Sequence, residues 1–226
     1  MILGNGLLGL AFLPHESSLP ANVLVIARGV SDSLETCDAA YAREWQLLEE
    51  AVLKAEAKTR LVYFSTSRLD TPLTAADRRY FHHKRAVEEW LLSNYAERAL
   101  IVRLPHIVGA GGHPNTVFNY LWRSVCAHEP FVVYAGGERR ELLDVEEVAP
   151  AVLAHLEARR HGVQRVRGIS LEVTEIVRAM QQHHEHLAGR ESAAVSDIPV
   201  SLKILLRRYA ITDPNTHRGT RFLSRR

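Results

Sequence analysis

Met1-Ile2-Leu3-Gly4-Asn5-Gly6-Leu7-Leu8-Gly9 opens the chain with a short apolar run, three closely spaced glycines and the start of a second apolar segment. Gly4 permits a tight turn, Gly6 lets backbone approach a pyrophosphate, and Gly9 allows a helix to pack closely on a strand. The first amides of that helix favour an anion. The bland alternative is a glycine-rich turn of an α/β fold that binds no nucleotide. Further along, apolar runs at residues 1–3, 23–27, 61–65, 99–103 and 131–134 read as buried strands. Between them Tyr41, Trp45, Leu48, Val52 and Ala55 recur at helical spacing, as do Val87, Leu91 and Tyr95. Strands alternating with helices require crossovers, which predicts an α/β fold with a parallel sheet covered on both faces. Ligands in such sheets bind beyond the carboxyl ends of the strands, where Gly9, residues 65–67 and residues 105–112 fall.

Composition sets the outer limits. A chain of 226 residues, 46% hydrophobic and 24% charged, can bury one substantial core with a small appended lobe. No apolar stretch approaches the roughly 20 residues needed to span a bilayer, and the N-terminus has neither a basic leader nor a signal-like segment. The expected compartment is the cytoplasm. Cys37 and Cys126 stand outside any Cys-x-x-Cys spacing, so they are expected as free thiols rather than disulfide or zinc ligands. A formal charge of +2 and the absence of a nucleic-acid-binding motif point to small-molecule partners. The run Gln181-Gln182-His183-His184-Glu185-His186 lacks a His-Glu-x-x-His pattern, and His183 and Glu185 do not share a helical face. It reads as a solvated helix end, with no metal expected.

The chemistry-bearing residues come next. Ser65-Thr66-Ser67 ends one predicted strand, and Tyr80-Phe81-His82-His83-Lys84 begins the following helix. Tyr80 and Lys84, one turn apart, share a face, whereas His82 and His83 are expected to point away. A nearby ammonium favours tyrosinate and lowers a phenol pKa of about 10. The alternative is a half-buried Tyr80 with a solvated lysine beside it.

Taken in order, the glycine run, the Ser-Thr strand end and the Tyr-x-x-x-Lys resemble the extended short-chain dehydrogenase/reductase superfamily, the NAD-dependent epimerase/dehydratase family. The likeness covers roughly residues 1 to 160 and extends toward 190. It takes in Ile101-Val102-Arg103-Leu104-Pro105-His106-Ile107-Val108-Gly109 and the segment from Gly136 to Val148. The resemblance implies a Rossmann-like three-layer fold with a mostly parallel sheet, a single domain over residues 1–226. A small C-terminal substrate lobe is expected, with substrate-side elements around 105–130 and 136–226. It implies an NAD(P)-dependent epimerase or reductase acting on a nucleotide-linked sugar, with NAD or NADP as cofactor. A homodimer through the helices of Trp45 and Val87 is also implied.

Residue by residue, the resemblance makes Tyr80 the acid/base and Lys84 the holder of the nicotinamide ribose. Thr66 bonds the reacting oxygen, with Ser65 or Ser67 as the alternative donor. Gly4, Asn5, Gly6, Leu7, Leu8, Gly9, Arg28, Gly29, Ser65 and Pro105 complete the expected cofactor site, and Ser67, His106, Asn115, Asn119 and Arg140 the substrate site. Bland alternatives stand beside some of these. Arg28 is equally a solvated strand-end arginine, Arg139 and Arg140 can pair with Glu138 and Glu141, and Asn115 and Thr116 can cap the helix of Phe118, Leu121 and Val125. The basic stretch from Ser201 to Arg226 reads as a surface helix and tail, docked through Leu202, Leu205 and Leu206.

Two departures shape the reading. After Gly9 the chain passes Pro14 and Pro20 directly to Val23-Leu24-Val25-Ile26-Ala27 and then Arg28-Gly29-Val30-Ser31, which look like the family's fourth strand and its loop. Strands two and three are missing, so the fold is reduced at the adenosine side. Ser67-Arg68 stands where the 4,6-dehydratases carry an Asp-Glu pair, which disfavours dehydration and leaves epimerisation or keto reduction open. The rival is a non-catalytic dinucleotide or nucleotide-sugar binding module.

Overall fold

The computed structural model describes residues 1–132, 137–189 and 198–210. The chain divides into two units, Met1–Pro105 with Val145–Arg167, and His106–Asp144 with Gly168–Arg226. The first is built on five parallel strands: β1 (Ile2–Leu3), β2 (Val23–Ile26), β3 (Arg60–Thr66), β4 (Ala99–Leu104) and β7 (Gly162–Arg165), adjacent in that order. Its helices are α1 (Leu7–Phe12), α2 (Asp38–Lys54), α3 (Arg79–Tyr95) and α5 (Val148–Glu157).

The continuous apolar runs of the strands follow from burial on both faces. All four residues of β2 are buried. One face, formed by Leu24, Ile26, Leu61, Tyr63, Ala99 and Ile101, packs against Leu48, Ala51 and Val52 of α2 and Val87 and Leu91 of α3. Alternation along β3 turns Phe64 to the other face, where its ring meets Phe12 of α1 at 5.7 Å and α5 lies beside α1. The α/β fold class with a parallel sheet read from the sequence is the observed one.

The sheet also bears on the missing strands. β1 pairs directly with β2, Ile2 opposite Val25 and Leu3 opposite Ile26, and among the described residues no strand lies beyond β1. At the far side an alternating charge network ties four elements together. Buried Glu88 of α3 takes a bidentate pair from Arg103 of β4 at 3.0 and 2.6 Å. Arg103 also reaches Asp70, which pairs with Arg165 at the end of β7. Asp70 closes the 3-10 turn Ser67–Asp70, so the network pins the segment that follows Thr66.

The second unit carries β5 (His106–Val108), β6 (Arg139–Asp144) and β8 (Ile169–Glu172), with β5 parallel and β8 antiparallel to β6. Helices α4 (Val117–Ala127), α6 (Val173–Leu187) and α7 (Val200–Tyr209) enclose a core of Phe118, Leu121, Trp122, Val125, Ile176, Met180, Leu202, Leu205 and Leu206. The leucines of α7 are thus docked. Thr116 caps α4 by accepting the Asn119 amide, and His183 packs against the Trp122 ring. The strand expected at 131–134 is not borne out in its described part. Phe131 and Val132 follow α4 without pairing to a strand, and Val133 and Tyr134 lie outside the described residues, as do Gly136 and residues 211–226. Phe131 packs on the helical core and Val132 is exposed, and periodicity cannot separate such packing from sheet burial. Among the described residues no helix is long and apolar enough to cross a membrane.

Asp144, buried at the end of β6, accepts from the Tyr209 hydroxyl at 2.6 Å and pairs with Arg208 at 2.9 Å, fastening α7 to the sheet. Replacing a carboxylate that a buried hydroxyl depends on costs about 1–3 kcal/mol. Asp144→Ala should therefore lower stability by that amount and speed amide exchange in α7 before α6, measured by hydrogen exchange.

Candidate active site

Parallel strands bring their carboxyl ends to one edge, and in the first unit that edge collects the expected cofactor residues. Gly4 follows β1, Arg28 and Gly29 follow β2, Ser65 and Thr66 end β3, and Pro105 follows β4. Two glycines are required by space. A Cβ on Gly4 would sit 2.1 Å from the Ala27 carbonyl oxygen, with φ at +126°, and one on Gly9 would sit 2.3 Å from the Gly4 oxygen. Gly6, the cap of α1, differs: a Cβ there meets nothing within 4 Å, so the space above its backbone is open. Asn5 is exposed, and Leu7 and Leu8 begin the helix half-buried.

Ser65 supplies a second observation. Its hydroxyl is buried and has no hydrogen-bond partner among the described residues, although an orphaned buried hydroxyl costs about 1–3 kcal/mol. An open glycine turn and an unsatisfied hydroxyl on the same sheet edge fit a polar ligand of the dinucleotide kind. Thr66 is occupied in part, since its Oγ1 accepts the Arg68 amide at 3.3 Å and caps the 3-10 turn, leaving its own O–H to donate. Ser67 is half-buried. Arg28 is exposed, with no ion pair among the described residues.

The tyrosine-lysine pair belongs to a larger buried cluster. Lys84 is not a solvated neighbour: it is 4% exposed, and its Nζ donates to Glu44 Oε1 at 2.8 Å and to the Tyr63 hydroxyl at 2.9 Å. The Tyr63 hydroxyl donates in turn to Glu44 Oε1 at 3.0 Å. The other Glu44 oxygen accepts the Val30 amide at 2.7 Å and lies 3.2 Å from His83 Nε2. Gly29 is glycine for the same reason: with φ at +147°, a Cβ there would fall 2.4 Å from the Glu44 carboxylate. His83 thus faces the cluster, its ring tilted against the Tyr41 ring with centroids 4.8 Å apart, and corrects the expectation that it points away. Aromatic neighbours on α2 draw it in, while His82 is exposed and bonds the Thr74 carbonyl.

Tyr80 is half-buried, its ring centroid 5.7 Å from Lys84 Nζ, and its hydroxyl has no hydrogen-bond partner among the described residues. Burial pushes its phenol above the ordinary value; Lys84 pulls down and Glu44 pushes up again, and the net direction is up. The sequence reading expected the reverse. Burial also opposes ionisation of Glu44, but Lys84, His83 and the Val30 amide more than offset it and hold the carboxyl at about 2. Burial disfavours the Lys84 cation too, and Tyr63 and Glu44 outweigh it, raising its pKa.

Glu44, Tyr63 and His83 were missed in the sequence. The signal for Glu44 was its position: it falls in the buried stripe of Tyr41, Leu48, Ala51 and Val52, where an unpaired carboxylate is not tolerated. The four expected substrate residues besides Ser67 belong to the second unit. His106 and Arg140 lie on adjacent strands, and crowding together with the Arg140 charge keeps the His106 imidazole below its usual value although the residue is exposed overall. Arg140 pairs with Glu138, and Arg139 with Glu172 and Ser170. Asn119 donates to the Gly112 and His113 carbonyls, tying down its loop, and Asn115 is exposed.

Because Glu44 has a folded pKa near 2 against an ordinary 4.5, its stabilisation is present above pH 4.5 and is lost as pH falls toward 2. Denaturant unfolding should show a loss on the order of 2–3 kcal/mol across that window from this group. Glu44→Ala, which strands Lys84, should cost about 3–5 kcal/mol at neutral pH.

Comparison with known proteins fits this geometry. The profile of the family described as "NAD dependent epimerase/dehydratase family" matches residues 18–167, beginning after the glycine run. No curated protein matches the chain. Among solved structures, the UDP-glucuronic acid 4-epimerase of Bacillus cereus in complex with NAD superposes with a TM-score of 0.63 at 14% identity, over 95% of this chain and 78% of that one. The capsular polysaccharide assembling protein CapF of Staphylococcus aureus gives 0.58 at 18%, over 84% of this chain and 51% of that one. The UDP-N-acetylglucosamine 4-epimerase of Methanobrevibacter ruminantium gives 0.54 at 19%, over 78% and 61%. This chain therefore spans about half of CapF and three fifths of the archaeal epimerase. At such identities the likeness shows the fold, and the profile match over most of the chain shows the family: the chain belongs to the NAD-dependent epimerase/dehydratase family.

Proposed function

We propose that this chain binds NAD or NADP at the carboxyl edge of its five-stranded sheet and acts, in the cytoplasm, on a nucleotide-linked sugar. The observation that carries the reading is the buried Ser65 hydroxyl, without a partner among the described residues, on the same sheet edge as the open Gly6 turn. Gly4, Asn5, Gly6, Leu7, Leu8 and Gly9 would receive the pyrophosphate, with Arg28, Gly29, Ser65 and Pro105 along the rest of the cofactor. A bound nicotinamide would supply or accept a hydride at the sugar carbon. Tyr80, whose hydroxyl is uncommitted, exchanges a proton with the reacting oxygen, and the Thr66 O–H steadies that oxygen. Lys84 orients the site. Ser67, His106, Asn115, Asn119 and Arg140 contact the nucleotide sugar.

Keto reduction or epimerisation is favoured over 4,6-dehydration. Dehydration needs a free acid and base after the threonine, and the carboxylates of this segment are committed: Asp70 to Arg103 and Arg165, Asp77 to Arg68. A homodimer through α2 and α3 belongs to the same proposal. Val87 is fully buried inside its own unit, so the contact would fall to the Trp45, Trp90 and Tyr95 aromatic row and to exposed Leu53. The second reading, a binding module without turnover, draws support from β1 as the sheet edge, where no wall for adenosine stands among the described residues.

Calorimetric titration with NAD(H) and NADP(H) separates the readings. Gly6→Trp should fold and weaken dinucleotide binding by about tenfold or more, since its side chain fills the open space; Gly4→Ala should instead lower stability. Tyr80→Phe should retain binding and lose about 10²–10⁴-fold in turnover on the responding nucleotide sugar. Binding without turnover on any nucleotide sugar would give the module reading precedence, and no binding at millimolar dinucleotide would sink the enzyme reading and leave only a nucleotide-sugar binding module.

A further inference from the structure

We propose that Glu44 is a positioning residue that claims Lys84 for itself and Tyr63, leaving Tyr80 a proton-donating phenol and directing the site toward reduction of a keto group. The inference rests on the reading above and goes beyond it in naming the direction of the chemistry. Lys84 Nζ is bonded to Glu44 at 2.8 Å and to Tyr63 at 2.9 Å, while the Tyr80 ring centroid lies at 5.7 Å. The ammonium is therefore spent on a carboxylate. Glu44 is 3% exposed and fixed from three sides: by the Val30 amide, by Tyr63 of β3, and by His83 and Lys84 of α3.

The consequence follows from sign. A lone buried cation would favour loss of the nearest phenol's proton to solvent, and a buried cation already matched by a carboxylate does so far less. Glu44 and Lys84 form a neutral pair, and the remaining titratable groups around it are Tyr41 from α2, Tyr63 from β3, and Tyr80 and His83 from α3. All three of these phenols, Tyr41, Tyr63 and Tyr80, are pushed up rather than down. Oxidation of a carbinol needs Tyr80 to start as phenolate and take the hydroxyl proton. Reduction needs it to start as phenol: its O–H bond breaks, the proton goes to the carbonyl oxygen, and the carbonyl carbon takes the hydride from a reduced nicotinamide. The phenolate left behind is reprotonated from solvent.

Tyrosinate formation, followed by ultraviolet absorbance in the ligand-free protein, tests Glu44 without any dinucleotide or substrate. Parent minus Tyr80→Phe isolates the Tyr80 titration, which is expected above about pH 10. Glu44→Gln minus Glu44→Gln/Tyr80→Phe should move that titration down by about one pH unit or more. A Tyr80 tyrosinate below about pH 9 in the parent, or no downward shift in Glu44→Gln, overturns the proposal. If Glu44→Gln does not fold, the parent comparison still decides. Loss of dinucleotide binding or turnover would instead strike the functional reading and leave this titration unchanged.

Discussion

A carboxylate and an ammonium buried together hold the first unit in its working form. Neither Glu44 nor Lys84 could be buried alone, because an isolated ion in a poorly polarisable interior costs far more than a domain's net stability. Together, with Tyr63 and the Val30 amide filling much of the remaining hydrogen-bonding capacity and His83 Nε2 3.2 Å from the carboxylate, they can be. The pair spans four pieces of chain: the loop after β2, α2, β3 and α3. It explains why Gly29 must be glycine, why α2 carries a charge in its apolar stripe, and why His83 turns inward. Such a pair adds little net stability over an apolar substitute, and what it contributes is a fixed place for a charge.

The sheet sets the second constraint. With β1 at its edge, the glycine turn is anchored on one side only, by Ala27 at the end of β2. That contact is a close one: the Gly4 position leaves no room for a Cβ, and Gly9 rests on the Gly4 carbonyl in the same way. Close backbone packing thus replaces the support that flanking strands give elsewhere in the fold. The consequence for function is asymmetric. The end of the site near Ser65 and Thr66 is held by β3 and by the Arg103 network behind it, whereas the end beyond Gly6 opens at the sheet edge.

Much of this was legible before any coordinates. The runs at 23–27, 61–65 and 99–103 became β2, β3 and β4 because strands buried on both faces must be apolar throughout, and the recurring Tyr41-to-Ala55 and Val87-to-Tyr95 patterns became α2 and α3. The direct step from Gly9 to Val23 is matched by β1 pairing directly with β2, with no strand beyond β1 among the described residues. What pattern could not supply was pairing across segments. Nothing local joins Glu44 to Lys84, forty residues apart, and a helical stripe shows only that position 44 faces inward. Arg140 shows the limit from the other side: its sequence neighbour Glu138 takes its charge, one of the two bland readings available from the start.

The direction of proton transfer is then a matter of which charge lies nearer. Coulomb attraction between unit charges a few ångströms apart amounts to about 4 kcal/mol at an effective dielectric near 20 and falls only inversely with distance. A cation at the distance of Tyr80 would by itself still stabilise tyrosinate appreciably. Glu44 is bonded to the same ammonium at 2.8 Å and contributes a field of opposite sign, so at Tyr80 it offsets part of the attraction and burial sets the net direction. The Tyr-x-x-x-Lys spacing is therefore an incomplete description of this site. In the proposed reaction its acid-base character belongs to Tyr80, Lys84 and Glu44 taken together, with Tyr63 bonded to the lysine.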